Sequence, residues 1–195
     1  MASASSYFTV QHTYETRIKA AFKLLYGTNG YNGKVEDRGR IHNGAVHLCR
    51  QNKYVLSLGN KKDLTDAKDH CLEAKKISSL EPEDNFLLAT AYFYLGMYQE
   101  AYDTIRLIDI PNDLGGFNEA KNAKFSDIIN RRGEILYRLG RVEEARKDFL
   151  FAARIERRNT WPFYNCAVYY KNKGQIIGAN HFMNHLMGAD SKTTK

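Results

Sequence analysis

Between Ser126 and Asn159 the apolar side chains fall into two stripes at helical spacing. Ile128, Ile129, Ile135, Leu136 and Leu139 share the first, and Val142, Ala145, Phe149, Ala152 and Ile155 share the second. Gly140 lies between them, a residue that ends a helix cheaply by taking a left-handed conformation. Two amphipathic helices joined by so short a turn fold back as an antiparallel hairpin. Gly133 and Ala145 leave room for close approach, and Phe149 fills the space beside Ala152.

One hairpin cannot bury its own apolar face, so the pattern predicts companions. Ala145 follows Gly140 by five residues, Ala179 follows Gly174 by five, and Ala101 follows Gly96 by five. Ala67 supplies a fourth marker, and the steps between the four alanines are 34, 44 and 34 residues. The stretch resembles the tetratricopeptide repeat family, whose period is 34. About three and a half repeats cover 48–190, and the ten extra residues of the middle step match the Gly-Gly-containing segment Asn112 to Lys121. The resemblance implies an all-α chain, an α-solenoid of antiparallel helical hairpins forming a tetratricopeptide-like superhelix, with an additional N-terminal helix. The expected domains are 1–40 (the N-terminal helix and a Gly-rich loop), 41–190 (the repeats) and a polar tail, 191–195.

Element by element, Tyr14, Ile18, Ala21, Phe22 and Leu25 predict a helix of about three turns ending near Tyr26. Ile41 to Leu58 predicts the next helix, with Leu64 to Ile77 as its partner. Lys61-Lys62-Asp63 stands there where a turn glycine belongs, although Gly59 is near. Pro82 opens the following repeat in a first helical turn, where its missing N–H costs nothing. Pro111 stops that repeat. The last repeat runs from Trp161-Pro162, turns at Gly174, and is expected to end at Gly188.

Composition narrows the class. At 195 residues and 43% hydrophobic, the chain suits one continuous helical core, and three prolines permit long helices. No apolar run approaches the ~20 residues of a membrane span. A net charge of +7 points to an acidic partner surface. Cys49, Cys71 and Cys166 are odd in number and widely spaced, which fits buried thiols in a reducing compartment. The N-terminus has no signal-peptide apolar block and only a faint similarity to a mitochondrial presequence. An intracellular location is expected, cytoplasmic or mitochondrial without a cleaved presequence.

Candidate chemistry is sparse. Gly27 to Gly33 is a loop by composition, but five residues separate its outer glycines and Val35 follows Lys34, which does not match a phosphate-binding loop. His181 and His185 have zinc spacing, yet Phe-Met-Asn lies between them and no third ligand follows, so both read as surface or partner-facing. Glu143-Glu144 and Glu81, Glu83 and Asp84 sit at helix starts, where the dipole favours acids. Cys166 fits an apolar place in the repeat. No active site, metal or cofactor is expected.

In the tetratricopeptide family the first helix of each hairpin lines a binding groove. The matching positions are Phe86, Thr90, Phe93 and Tyr94; then Asp127, Asn130, Glu134, Tyr137 and Arg138; then Trp161, Tyr164, Val168 and Lys171. One subfamily clamps a chaperone's terminal carboxylate with lysine, asparagine and arginine; Phe86, Thr90, Arg131, Trp161 and Asn165 hold those places here, so that clamp is absent. On the last helix Ile176, Ile177, Phe182, Met183, Leu186 and Met187 cannot all face inward. Ile177, Phe182, Met183, Leu186 and Met187 are therefore a second candidate docking surface. The implied function is a non-enzymatic protein–protein interaction module, a scaffold or structural subunit of a multi-subunit assembly. An RNA-binding helical repeat and a mitochondrial fission adaptor-like protein are the alternatives. Against RNA stands the interleaving of Glu134, Glu143, Glu144, Asp148 and Glu156 among the arginines of 131–158.

Overall fold

A computed structural model of the chain describes residues 4–26, 61–116 and 118–190. All regular structure among them is helical: α1 (Ala4–Tyr26), α2 (Lys61–Ile77), α3 (Pro82–Tyr94), α4 (Tyr98–Ile105), α5 (Glu119–Arg138), α6 (Val142–Ile155), α7 (Thr160–Asn172) and α8 (Ile176–Asp190). The chain divides into two compact units, Met1–Asp109 and Ile110–Lys195, and the expected 41–190 repeat region spans both.

Three hairpin turns share one geometry. Gly96, Gly140 and Gly174 have φ of 80°, 77° and 71°, a left-handed conformation that a side chain would strain. Around Gly140 its N–H donates to the Tyr137 carbonyl at 3.1 Å, and Arg141 N–H donates to the Leu136 carbonyl at 2.9 Å. The equivalent pairs are Gly96 to Phe93 with Met97 to Tyr92, and Gly174 to Lys171 with Gln175 to Tyr170. This is a Schellman closure, which satisfies carbonyls that the helix end would otherwise orphan. Five residues beyond each glycine, Ala101, Ala145 and Ala179 are buried, as is Ala67.

In the first unit the core is Tyr14, Ile18, Ala21 and Leu25 of α1 against Leu64, Ala67, Cys71 and Ala74 of α2, closed by Leu87, Leu88 and Ala91 of α3. The small residues of α2 let α1 lie close. Among the described residues α1 is thus the packing partner of α2. The expected partner, Ile41 to Leu58, lies outside the described residues, as do Cys49 and the Gly27–Gly33 loop. Helix α1 is also longer than the apolar stripe suggested, 23 residues starting at Ala4. Lys61-Lys62-Asp63 forms the first turn of α2 rather than a hairpin turn.

The second unit holds two hairpins, α5–α6 and α7–α8, with α6 packed on α7. Ile128, Ile129, Ile135 and Leu136 meet Ala145, Phe149, Ala152 and Ile155, all buried. Each such Ile or Leu contributes about 1.5–3 kcal/mol by leaving water. A Cβ on Gly133 would stand 2.6 Å from the Phe149 ring, so glycine is what lets α5 and α6 touch there. Part of the expected linker is helical, because α5 begins at Glu119 with the Asn118 side chain accepting from Lys121 N–H. The loop before it is clasped by Asn122, which accepts from Gly115 N–H at 3.0 Å and donates to the Gly116 carbonyl at 2.8 Å. Helix α8 passes through Gly188 to Asp190, beyond its expected end.

Candidate functional site

The residues expected to line a groove fall in both units, and each unit presents its own set. In the first unit Phe93 meets Tyr94 edge-on at 5.1 Å and Tyr98 at 5.8 Å, and Phe86 is half-buried. Thr90 is not available to a partner. It is 2% exposed, and its hydroxyl donates to the Phe86 carbonyl at 2.8 Å, one turn back in its own helix.

The second unit assembles a connected face on α5 and α7. Asn165 on α7 donates to Asn130 on α5 at 2.9 Å and to Glu134 at 3.1 Å. Glu134 also pairs with Arg131 at 2.7 Å. Asn130 is buried, so it acts as a strut between the two helices. Nearer the helix ends, Asn172 donates to the Tyr137 hydroxyl at 2.9 Å. At the other end Asn159 donates to Asp127 at 2.7 Å and to Ser126 at 3.0 Å, while its carbonyl oxygen caps α7 by accepting from Trp161 N–H. These bonds fix the spacing of α5 and α7, and the rings stand on that frame. Trp161 meets Tyr164 edge-on at 6.0 Å, and Tyr164 is 48% exposed. Arg138 and Lys171 are exposed in the last turns of α5 and α7.

Most cations around α6 are engaged. Arg132 grips Asp148 with two bonds of 2.7 and 2.8 Å, and Arg141 grips Glu144 with two of 2.7 Å. Arg146 pairs with Glu143 at 3.1 Å and Arg158 with Glu119 at 3.0 Å. Glu143 also accepts from the Tyr169 hydroxyl at 2.6 Å, which ties α6 to α7. That hydrogen bond, with Arg146 second, holds the Glu143 carboxyl below the usual glutamate value and pushes the Tyr169 phenol up. Cys166 is 1% exposed, and burial raises its thiol to about 12. It carries no thiolate at neutral pH. Among the described residues no cluster of three or more His, Cys, Asp or Glu could hold a metal ion.

The last helix shows a second feature. Ile176, Ile177, Met183 and Met187 are exposed, Ile177 to 91%, while Phe182 and Leu186 are half-buried. Phe182 stacks on Tyr170 at 5.4 Å. His185 is half-buried rather than surface-facing. Its ring stacks on Phe163 at 3.8 Å, and Nε2 lies 3.4 Å from the Arg157 carbonyl. His181 stays exposed beside Phe182. The Asn165–Asn130–Glu134 strut escaped sequence reading, since it joins residues 31 and 35 apart; the clue was an amide at adjoining places of successive repeats.

The described helices define an all-α helical-repeat fold of tetratricopeptide type. Two crystal structures of MamA, a protein of that repeat type, share it. One superimposes with a TM-score of 0.53 over 82% of this chain and 96% of the MamA chain, the other with 0.52 over 93% and 94%. Both are 14% identical to this chain, so the likeness is one of fold. No family model and no curated protein matches the sequence. No helix among the described residues is long and apolar enough to cross a membrane.

Proposed function

We propose that the chain is a non-enzymatic protein–protein interaction module, working as a scaffold or structural subunit of a multi-subunit intracellular assembly. The observation that carries this reading is the α5–α7 face: exposed Tyr164 beside Trp161, with Tyr137, on helices held in register by side-chain hydrogen bonds. Aromatic rings on a rigid frame give a partner buried area at small entropic cost. Phe86, Phe93 and Tyr94 on the first unit serve as further contacts, and Ile177, Met183 and Met187 on α8 dock a second partner surface. The buried, unpaired thiols Cys71 and Cys166 suit a reducing compartment. RNA is the weaker reading, because Arg132, Arg141, Arg146 and Arg158 are already bound to carboxylates.

The test is affinity capture of native complexes with the tagged full chain and with a Tyr137→Ala, Tyr164→Ala variant. The variant should keep its helicity and lose most of the partner. Undiminished capture by the variant moves the interaction away from this face.

A further inference from the structure

The +7 charge of the chain is unevenly placed. Residues 1–109 carry 14 Lys and Arg against 13 Asp and Glu, whereas residues 110–195 carry 15 against 9, so nearly the whole excess belongs to the second unit. Along α6 the two signs are treated differently. Its acids are all engaged: Glu143 by Tyr169 and Arg146, Glu144 by Arg141, and Asp148 by Arg132. Just past the helix, Glu156 is 8% exposed and accepts from Arg158 N–H at 2.8 Å. Three cations stand outside these pairs. Lys147, Arg154 and Arg157 are exposed and join no ion pair among the described residues, whereas Arg158 is held by Glu119.

Lys147 and Arg154 are seven residues apart, which puts them on one side of α6 at about 10 Å along its axis. Leu150 and Phe151 stand between them, both half-buried. The Arg154 guanidinium lies 5.3 Å from the centre of the Phe151 ring. A guanidinium stacked on a ring is held in one direction while its N–H edge stays open, a shape that takes a carboxylate with two bonds. Arg157 extends the line past the end of the helix. The helix dipole favours cations at a C-terminus and so accounts for Arg154 and Arg157. It does not account for Lys147, which lies in the first half of α6. Nor does the hairpin fold require a cation there: two residues beyond the marker alanine, α4 has Asp103 and α8 has His181.

We propose that this side of α6 binds an acidic helix of a partner protein. Two of its carboxylates, about two turns apart, lie on Lys147 and Arg154, and an apolar side chain between them rests on Leu150 and Phe151. The contact uses residues outside the α5–α7 face and goes beyond the reading above. Nucleic acid fits less well, because its affinity grows with the number of phosphates neutralised and the stripe offers Lys147, Arg154 and Arg157 alone. A membrane surface also fits less well. An interfacial helix buries a broad apolar face, and here Leu150 and Phe151 are already half-buried.

The experiment is selection of random peptides of about twenty residues, long enough to form a helix, on the immobilised full chain. Anisotropy titration of the winners and of an equally long single-stranded RNA follows. The winners should carry pairs of Asp or Glu about seven residues apart, with a large apolar residue between. Their binding should weaken about tenfold or more in Lys147→Glu, Arg154→Glu and should fall with added salt. Arg154→Lys keeps the charge and loses the fork, so it should fall between wild type and the charge reversal, a gradation that a folding defect would not produce. Lys75→Glu, an exposed site on α2, should leave binding unchanged. Circular dichroism of each variant should match the wild type. An empty selection, winners without paired acids, or winners indifferent to the charge reversal would each overturn the proposal. Equal weakening by Lys75→Glu would overturn it too, by reducing the attraction to net charge, as would tighter binding of the RNA than of the peptides. Winners that respond to Tyr137→Ala, Tyr164→Ala instead of the charge reversal sit on the α5–α7 face; they overturn the α6 assignment and leave the interaction reading intact.

Discussion

At the scale of single residues, two glycines that look alike in the sequence answer to different physics. Gly140 has φ of 77° and open space where a Cβ would stand, so its need is conformational. Gly133 lies inside α5 in ordinary helical backbone, where glycine costs roughly 1 kcal/mol relative to alanine. It is there because a Cβ would lie 2.6 Å from Phe149 Cε1 and 3.2 Å from Asp148 Cβ. The Phe149 ring is 3% exposed and closed in by the core, so it cannot swing aside freely. Overpacking of a tight core costs typically 1–3 kcal/mol, which exceeds the gain in helix propensity. Gly133→Ala should therefore lower stability by about 1–2 kcal/mol in urea unfolding, against the trend for Gly→Ala in a helix. Adding Phe149→Leu should recover part of that loss, because the shorter side chain vacates the contact. Gly140→Ala should cost about 1 kcal/mol by strain alone, with no such rescue. If Gly133→Ala stabilises the chain, the close helix crossing is misplaced.

Elements show where sequence reading succeeds and where it stops. The hairpin turns were legible because a Schellman closure and the alanine five residues later are local, set by neighbours within one turn. The register of Gly96, Gly140 and Gly174 thus fixed three hairpins from spacing alone. Pairing between distant elements was not legible in the same way. Nothing in Leu64, Ala67, Cys71 and Ala74 states that their cover is Tyr14 to Leu25, about fifty residues earlier. Nor does a threonine on the expected groove stripe announce that it will bond its own helix, as Thr90 does. The α6–α7 seam is a case of pairing that can be tested by titration. Glu143 on α6 accepts from Tyr169 on α7, with Arg146 3.1 Å away and Lys173 3.7 Å away. These partners lower the folded-state value below the ordinary 4.5. A depressed carboxylate contributes stability that is complete above about pH 4.5 and is lost as pH falls through the folded value. Side-chain carboxyl NMR should find Glu143 titrating below 4.5, and Tyr169→Phe should move it back upward and flatten the acid limb of the unfolding curve. Because Glu143 is exposed, both effects should shrink in high salt. A Glu143 that titrates no lower than 4.5 in the wild type would remove this bond from the seam.

At the scale of the molecule, repetition carries an obligation that the last described helix makes visible. Each second helix of a hairpin has one face for its own partner and one for the next hairpin. Helix α6 has both satisfied, by α5 and α7. Thirty-four residues along, α8 has α7 on one side, and its remaining face shows how far the register alone determines burial. Ala153 of α6 is 5% exposed, whereas Met187, at the equivalent place on α8, is 61% exposed. The sequence already required uncovered apolar side chains on this helix, since six large apolar residues cannot share one face. It could not say which of the six would turn outward: Phe182 stacks on Tyr170 and lies beside Phe163, and Leu186 is half-buried, while the other four are exposed. Exposed apolar area of this sort marks an interface more often than it marks indifference, and methionine adapts to a partner's contour. Ile177→Asp with Met187→Asp tests whether the face is used. Surface substitutions away from special features change stability by about 0.5 kcal/mol or less, so the double variant should unfold with the wild-type midpoint and remain more soluble. If α8 docks on another subunit, the variant should drop out of the native complex on size-exclusion chromatography, since two buried, unpaired carboxylates would oppose association. The Tyr137→Ala, Tyr164→Ala variant provides the comparison. Loss of different partners from the two variants would mean that the unit bridges them, and full retention by the α8 variant would mean that its apolar face is not an interface.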